Sequence, residues 1–191
     1  MHHAFGLFIA LCWALFLACI ALAAGSAKRT LETDRRWSWG WLVLVPLLAL
    51  FALGRNRVHL PAWSAAQALP RTPALALASA VLVLGGLILA LWGRLALGRN
   101  WNLNPSVKED HELVARGPYA WVRHPMYSGL LLMMLGTVSW HGGAVVCLVW
   151  PACFLGAWCK LRQEEKLLTR HFGAAYAAYQ ARVKALVPFV I

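Results

Sequence analysis

Two short polar runs carry the residue types most suited to chemistry. Arg123-His124-Pro125 stands at the start of an uncharged stretch from Met126 to Cys159, and Lys160-Leu161-Arg162-Gln163-Glu164-Glu165 follows that stretch directly. Proline disfavours the α conformation in the residue before it. His124 is therefore expected to be extended, with Pro125 in the first turn of a helix. A helix start leaves backbone N–H groups unpaired, which makes an anion site that Arg123 and His124 would strengthen. In the second run, Lys160 and Glu164 are four apart and share a helix face. Neighbouring residues on a helix point about 100° apart, so at most one of Glu164 and Glu165 should aim squarely at a ligand. An anion site beside a carboxylate suits a zwitterion. Many small metabolites would fit this charge placement; S-adenosylmethionine, with its carboxylate, ammonium and sulfonium, is one, and its adenine would lie on the apolar and aromatic residues of 113–121.

The elements that must position these runs are set by hydropathy. The chain has 191 residues and is 61% hydrophobic, an excess over soluble domains. Phe5 to Ala24, Trp37 to Leu53 and Thr72 to Gly93 contain no charged residue. Each is about the length of a bilayer-spanning helix, and none alternates as a barrel strand would. The Met126–Cys159 stretch is too long for one span and is punctuated by His141-Gly142-Gly143. It predicts a tight helical hairpin, roughly Pro125 to Trp140 and Ala144 to Cys159, with a short first arm that tilts or inserts shallowly. The tail beyond Lys160 should continue the last helix out of the membrane. The expected fold is thus all-α and integral to the membrane, with about five spans, a hairpin of spans four and five, and a cytoplasmic C-terminal helix. One domain, 1–191, would comprise three N-terminal spans (1–97) and a catalytic core (98–191). No Lys or Arg precedes the first apolar run, so it is expected to be a retained span and not a cleaved signal.

The formal charge is +11. Five spans place Lys28, Arg29, Arg35, Arg36, Arg94, Arg99, Lys108, Arg116, Arg123 and the cations of the tail on one side. Arg55, Arg57 and Arg71 are left on the other. The positive-inside rule then sets the N-terminus outside and the C-terminus in the cytoplasm, as in a bacterial-type inner membrane. The basic excess is accounted for by topology and lipid contact, not by nucleic acid. All seven acidic residues fall on the same cytoplasmic side. The five cysteines show no metal-ligand spacing, so no metal is expected. Several of the 11 tryptophans sit near block ends, as an aromatic belt would.

His111-Glu112-Leu113-Val114-Ala115-Arg116-Gly117-Pro118-Tyr119, then Arg123-His124-Pro125-Met126-Tyr127-Ser128-Gly129, resembles the isoprenylcysteine carboxyl methyltransferase family, within a wider set that includes phospholipid methyltransferases. Glu164-Glu165, His171-Phe172-Gly173, Tyr176, Tyr179 and Pro188 match its later signature. The resemblance covers about 98–191. It implies an enzyme that uses S-adenosylmethionine at the cytoplasmic side of a helical membrane fold. It also implies that His111, Glu112, Leu113 and Val114 line the cofactor largely through backbone. Gly117 belongs to the same motif, and Tyr119 follows as a pocket wall. His124, Pro125, Met126 and Tyr127 would hold the cofactor at the helix start, and Glu164 would contact it from the tail. Asn104 stands where a polar cofactor contact is often found.

Methyl transfer from a sulfonium needs mainly proximity and orientation. A carboxylate acceptor needs no base, and Lys160 or Arg162 would position it. An amine acceptor must lose a proton, for which Glu165 or His124 are candidates. Eukaryotic members of the family carry Arg where this chain has Lys160, and the two are not equivalent, so the acceptor stays open. Carboxyl O-methylation of a lipophilic or lipid-modified substrate is favoured over N-methylation of a phospholipid. A small NADPH-dependent membrane reductase and a non-catalytic membrane protein are the competing readings. Met126 stands where sterol reductases of related core typically have Asn. A transporter should show ionisable residues inside its spans, and apart from cysteines and peripheral histidines these have none.

Overall fold

The computed structural model describes residues 2–24, 30–33, 72–98, 106–108, 113–141, 146–188 and 190. Five helices account for most of them: α1 (His2–Ala24), α2 (Pro73–Leu97), α3 (Pro125–His141), α4 (Val146–Phe172) and α5 (Ala174–Arg182). The second expected span, Trp37 to Leu53, lies outside the described residues.

α1 and α2 are each long and apolar enough to cross a bilayer. Their outer faces carry Leu7, Leu11, Leu15, Leu77, Val81, Leu84 and Ile88, all exposed. Such surfaces are stable against lipid, not water. The inner face of α1 presents Ile9, Cys12, Trp13 and Phe16 at helical spacing, all buried. Trp13 Nε1 donates to Thr137 Oγ1 at 3.0 Å, and that hydroxyl donates to Met133 O at 2.7 Å. Interhelical bonds of this kind hold membrane helices together where apolar burial supplies little drive.

α2 and α3 approach through small residues. Ser79, Gly86 and Gly93 repeat every seven positions on α2, and Gly129 and Gly136 do so on α3. A Cβ at Gly86 would stand 2.5 Å from Gly129 O, and one at Gly136 would stand 2.6 Å from Ser79 O. The backbones therefore touch. The seven-residue repeat keeps one seam facing the partner along the helices.

The hairpin expected from the glycine pair is present as α3 and α4, with 142–145 outside the described residues. α3 has 17 residues, about 25 Å at 1.5 Å per residue, and falls short of the roughly 30 Å hydrocarbon core. α4 has 27 residues, about 40 Å by the same rise, and its polar second half runs past the start of α3. Equal rise along antiparallel arms brings Pro125–Tyr127 level with residues near 160–162, about one turn short of Glu164 and Glu165. Gly173, at φ +54°, breaks α4 from α5.

Two features add to the all-helical expectation. β1 (Thr30–Thr33) pairs antiparallel with β2 (Ser106–Lys108). The loops after the first and third expected spans thus meet, as loops on one side of the membrane can. The chain beyond α5 also returns to the hairpin mouth. Val122 and Lys184 form a parallel bridge, Arg123 N donates to Lys184 O at 2.8 Å, and His124 N donates to Ala185 O at 3.0 Å. Ser128 Oγ donates to Leu186 O at 2.6 Å, and Ala185 and Leu186 are buried.

Candidate functional site

The mouth of the α3–α4 hairpin gathers the polar residues. Its floor is the start of α3, its wall the 3-10 turn Gly117–Ala120, and its flank the second half of α4. Gly117 takes φ +61°, a conformation that favours glycine, and lies beside Trp92 of α2. The turn delivers Tyr119 into the interior, where it is buried. Tyr179 of α5 donates its hydroxyl to Tyr119 O at 2.6 Å and fixes the turn. Tyr127, one turn into α3, is buried and donates to Glu164 Oε2 at 3.3 Å.

Glu165 sits deeper, at 4% exposure, where Arg123 and His124 hold it. Arg123 reaches its Oε1 through Nη2 at 2.6 Å and Nε at 2.8 Å. His124 Nε2 lies 3.3 Å from the same oxygen. Arg123 Nη1 donates to Val183 O, and to Gln180 O at 3.3 Å. The two carboxylates thus divide as their angular separation requires. Glu165 turns to Arg123 and His124, while Glu164 stays half-buried beside Tyr127.

Arg123 was expected to strengthen an anion site at the start of α3. It faces inward instead, because a buried carboxylate needs a paired cation. His124 joins the same knot. The structure therefore gives Glu165 an ion-pairing role that opposes use as a proton acceptor. Burial alone would push its carboxyl up, but the hydrogen bonds and charges of His124 and Arg123 outweigh it and hold it at about 2. A group so acidic is a weak base at neutral pH.

The depressed value has a consequence for stability. The group is lowered from 4.5 in its ordinary state to about 2 in the fold. Its contribution, about 3 kcal/mol, is present above pH 4.5 and lost as pH falls toward 2. Thermal unfolding in detergent should show Tm falling through that window, and Glu165→Gln should remove the slope. An unchanged acid profile in the variant would refute the assignment.

The other expected residues are placed as follows. Leu113 and Val114 are half-buried and lead into the 3-10 turn, Pro125 is buried, and Met126 is half-buried. Asn104, His111 and Glu112 lie outside the described residues. Lys160 is buried to 1% on the inner side of α4. Arg162 is on the opposite side, its side chain 61% exposed, with its guanidinium 5.1 Å from the Trp158 ring and Nη1 3.9 Å from Glu165 Oε2. Of the two cations expected to meet an acceptor, only Lys160 is turned inward.

Three contributors were not expected from the sequence. The 183–186 segment ties the mouth. Tyr176 is buried at 1% exposure, and its hydroxyl is pushed well up by burial and by the charges of Glu165 and Glu164. Arg94, taken from sequence as a topology cation, is buried in the last turn of α2. Tyr176 belonged to a recognisable signature but carried no assigned role.

These features define a membrane-embedded helical protein whose polar chemistry is collected at one end of a helical hairpin. The model of the isoprenylcysteine carboxyl methyltransferase (ICMT) family matches residues 78–170, which include α3, most of α4 and nearly all of the mouth. The chain is 33% identical over 106 residues to a protein-S-isoprenylcysteine O-methyltransferase of Tribolium castaneum, covering 50% of this chain and 35% of that protein. It is 39% identical over 90 residues to protein-S-isoprenylcysteine O-methyltransferase B of Arabidopsis thaliana, covering 44% of this chain and 43% of that protein. The solved structure of a eukaryotic intramembrane Ras methyltransferase ICMT superposes with a TM-score of 0.52 at 26% identity, over 80% of this chain and 52% of that one. The chain thus spans well under two thirds of these relatives.

Proposed function

We propose that this protein is an S-adenosylmethionine-dependent methyltransferase of the membrane, acting on the carboxylate of a lipophilic or lipid-modified acceptor. The observation that carries the reading is the placement of Glu164 beside Tyr127 at the start of α3, inside the span that matches the family. The residues present fit the cofactor's chemistry. Met126 and Tyr127 supply first-turn N–H groups that α3 cannot satisfy within itself. Glu164 offers an acceptor for an ammonium, and Tyr119 and Tyr127 offer apolar walls. Bound there, the cofactor would supply an already activated methyl group. The protein's task is then to hold donor and acceptor in line and keep water out.

The state of Glu165 favours O- over N-methylation. An amine acceptor needs a proton taken from it, and the buried carboxylate nearest to hand is committed to Arg123 and His124 at about 2. A carboxylate acceptor needs only a cation to orient it, and Lys160 is the inward one. The five-span topology, with the N-terminus outside and the site at the cytoplasmic face of a bacterial-type inner membrane, belongs to the same reading. It rests on the charge distribution and on the β1–β2 contact between the two loops.

Calorimetry on protein purified in mild detergent tests the reading. S-adenosylhomocysteine should bind the wild type, and Glu164→Ala should weaken binding by at least about tenfold, the scale of one charge-assisted hydrogen bond. Absence of binding to the wild type, or wild-type affinity in the variant, would overturn it.

A further inference from the structure

With Arg123 spent on Glu165 and the tail carbonyls, the mouth needs another cation if it is to hold an anionic group. The last turn of α2 supplies one. Arg94 is 8% exposed, and its Nη1 donates to Gly98 O at 2.7 Å, which fixes the guanidinium at the end of the helix. The preceding residue locates that turn. A Cβ on Gly93 would lie 3.1 Å from Pro125 Cγ and 3.3 Å from Met126 N. The end of α2 is therefore seated on the first turn of α3, where the backbone donors are.

Tyr119 links this cation to the carboxylate across the mouth. Burial raises its hydroxyl well above the ordinary range, Glu164 raises it further, and Arg94 pulls it back. Tyr119 thus lies within reach of a negative charge from α4 and a positive charge from α2. Tyr176, buried and with no hydrogen-bond partner for its hydroxyl among the described residues, feels Glu164 as well. Separated charges of opposite sign, together with α3's first-turn N–H groups, match a ligand that carries both an ammonium and a carboxylate.

We infer that Arg94 is a carboxylate-binding residue of this site, acting together with the first turn of α3. The inference rests on reading the mouth as a methyl-donor pocket. A guanidinium fork pairs with a carboxylate through two parallel N–H···O bonds, which an ammonium cannot reproduce. The carboxylate is that of the methyl donor's amino-acid end or that of the acceptor, and the two sources are separable.

The test compares S-adenosylhomocysteine with its decarboxylated analogue, which keeps the ammonium and lacks the carboxylate, by calorimetry in mild detergent. Wild-type protein should bind S-adenosylhomocysteine more tightly than the analogue. Arg94→Met should weaken S-adenosylhomocysteine roughly 10- to 100-fold and leave the analogue unchanged, with Arg94→Lys in between. That pattern assigns Arg94 to the donor. Unchanged S-adenosylhomocysteine binding, with KM for an S-prenylcysteine acceptor raised by a similar factor, assigns it to the acceptor. Equal weakening of both donor analogues would mean that Arg94 only shapes the fold. No change in binding or KM would refute the inference outright. Because Arg94→Lys retains the charge and the helix, it keeps the test decisive if Arg94→Met does not fold. Failure of the wild type to bind either analogue would count against the methyl-donor pocket itself, a result distinguishable from any Arg94 effect.

Discussion

Arg123→Met should destabilise the protein by about 3–5 kcal/mol, the cost of stranding a buried carboxylate. The expectation comes from how completely the side chain is used. Nε and Nη2 bind Glu165 Oε1, while Nη1 binds the carbonyls of Gln180 and Val183. One residue therefore joins α3's approach, α4 and the returning tail. Its removal leaves Glu165, 4% exposed, with only the 3.3 Å contact to His124 and the distant Arg162 as partners among the described residues. Natural domains have only about 5–15 kcal/mol in hand, so the loss is a large share. Two measurements check it. The unfolding midpoint in detergent should drop sharply, and limited proteolysis should cut the tail beyond Arg182 faster than in the wild type. A second replacement, Glu165→Leu, should recover much of the loss, because removing both charges costs far less than removing one. A single-variant loss below about 1 kcal/mol would show the knot to be an exposed-type pair of little weight.

The same knot shows where sequence reading reached its limit. Pro125 announced the start of α3, and the uncharged stretch with its glycine pair announced the hairpin. Both are local signals, set by backbone sterics and hydropathy. Equal rise in antiparallel arms puts Tyr127 level with residue 160, so its meeting with Glu164 was legible to within about one turn. The partner of Arg123 was not. Residue type makes Arg123 equally fit for an external anion or an internal carboxylate. The choice is made by a tail that returns 60 residues later, with no periodicity to announce it. Arg94 was hidden for a different reason. A cation at the end of a span is the ordinary sign of orientation, and nothing in its spacing separates that role from a buried one. The β1–β2 pairing joins segments too short to carry an alternating pattern. The seven-residue spacing of Ser79, Gly86 and Gly93 was visible but was masked by the uniform hydropathy around it.

That spacing carries the other large effect. Gly129→Leu should prevent α2 and α3 from docking, with a loss above about 3 kcal/mol or no detergent-stable fold. A Cβ at Gly129 would stand 2.5 Å from Gly86 O, 2.6 Å from Ala90 N and 2.8 Å from Ala90 Cβ. Two of these are backbone atoms of a hydrogen-bonded helix, which have no rotamer to escape into, so the helices must separate. Gly85 provides the control. It adjoins Gly86, yet a Cβ there would meet nothing within 4 Å among the described residues. Gly85→Ala should be neutral or stabilising by up to about 1 kcal/mol through helix propensity alone. Thermal unfolding of the two variants side by side separates packing from propensity, and equal effects would remove the case for a close-contact seam. The seam also reaches the site, since Gly93 continues the repeat and rests on Pro125 and Met126. Helices forced apart at Gly129 carry Arg94 away from the start of α3. Gly129→Ala adds this Cβ alone and should be the milder of the two; the fraction of it that folds should lose affinity for S-adenosylhomocysteine although residue 129 lies more than half a turn beyond the pocket residues.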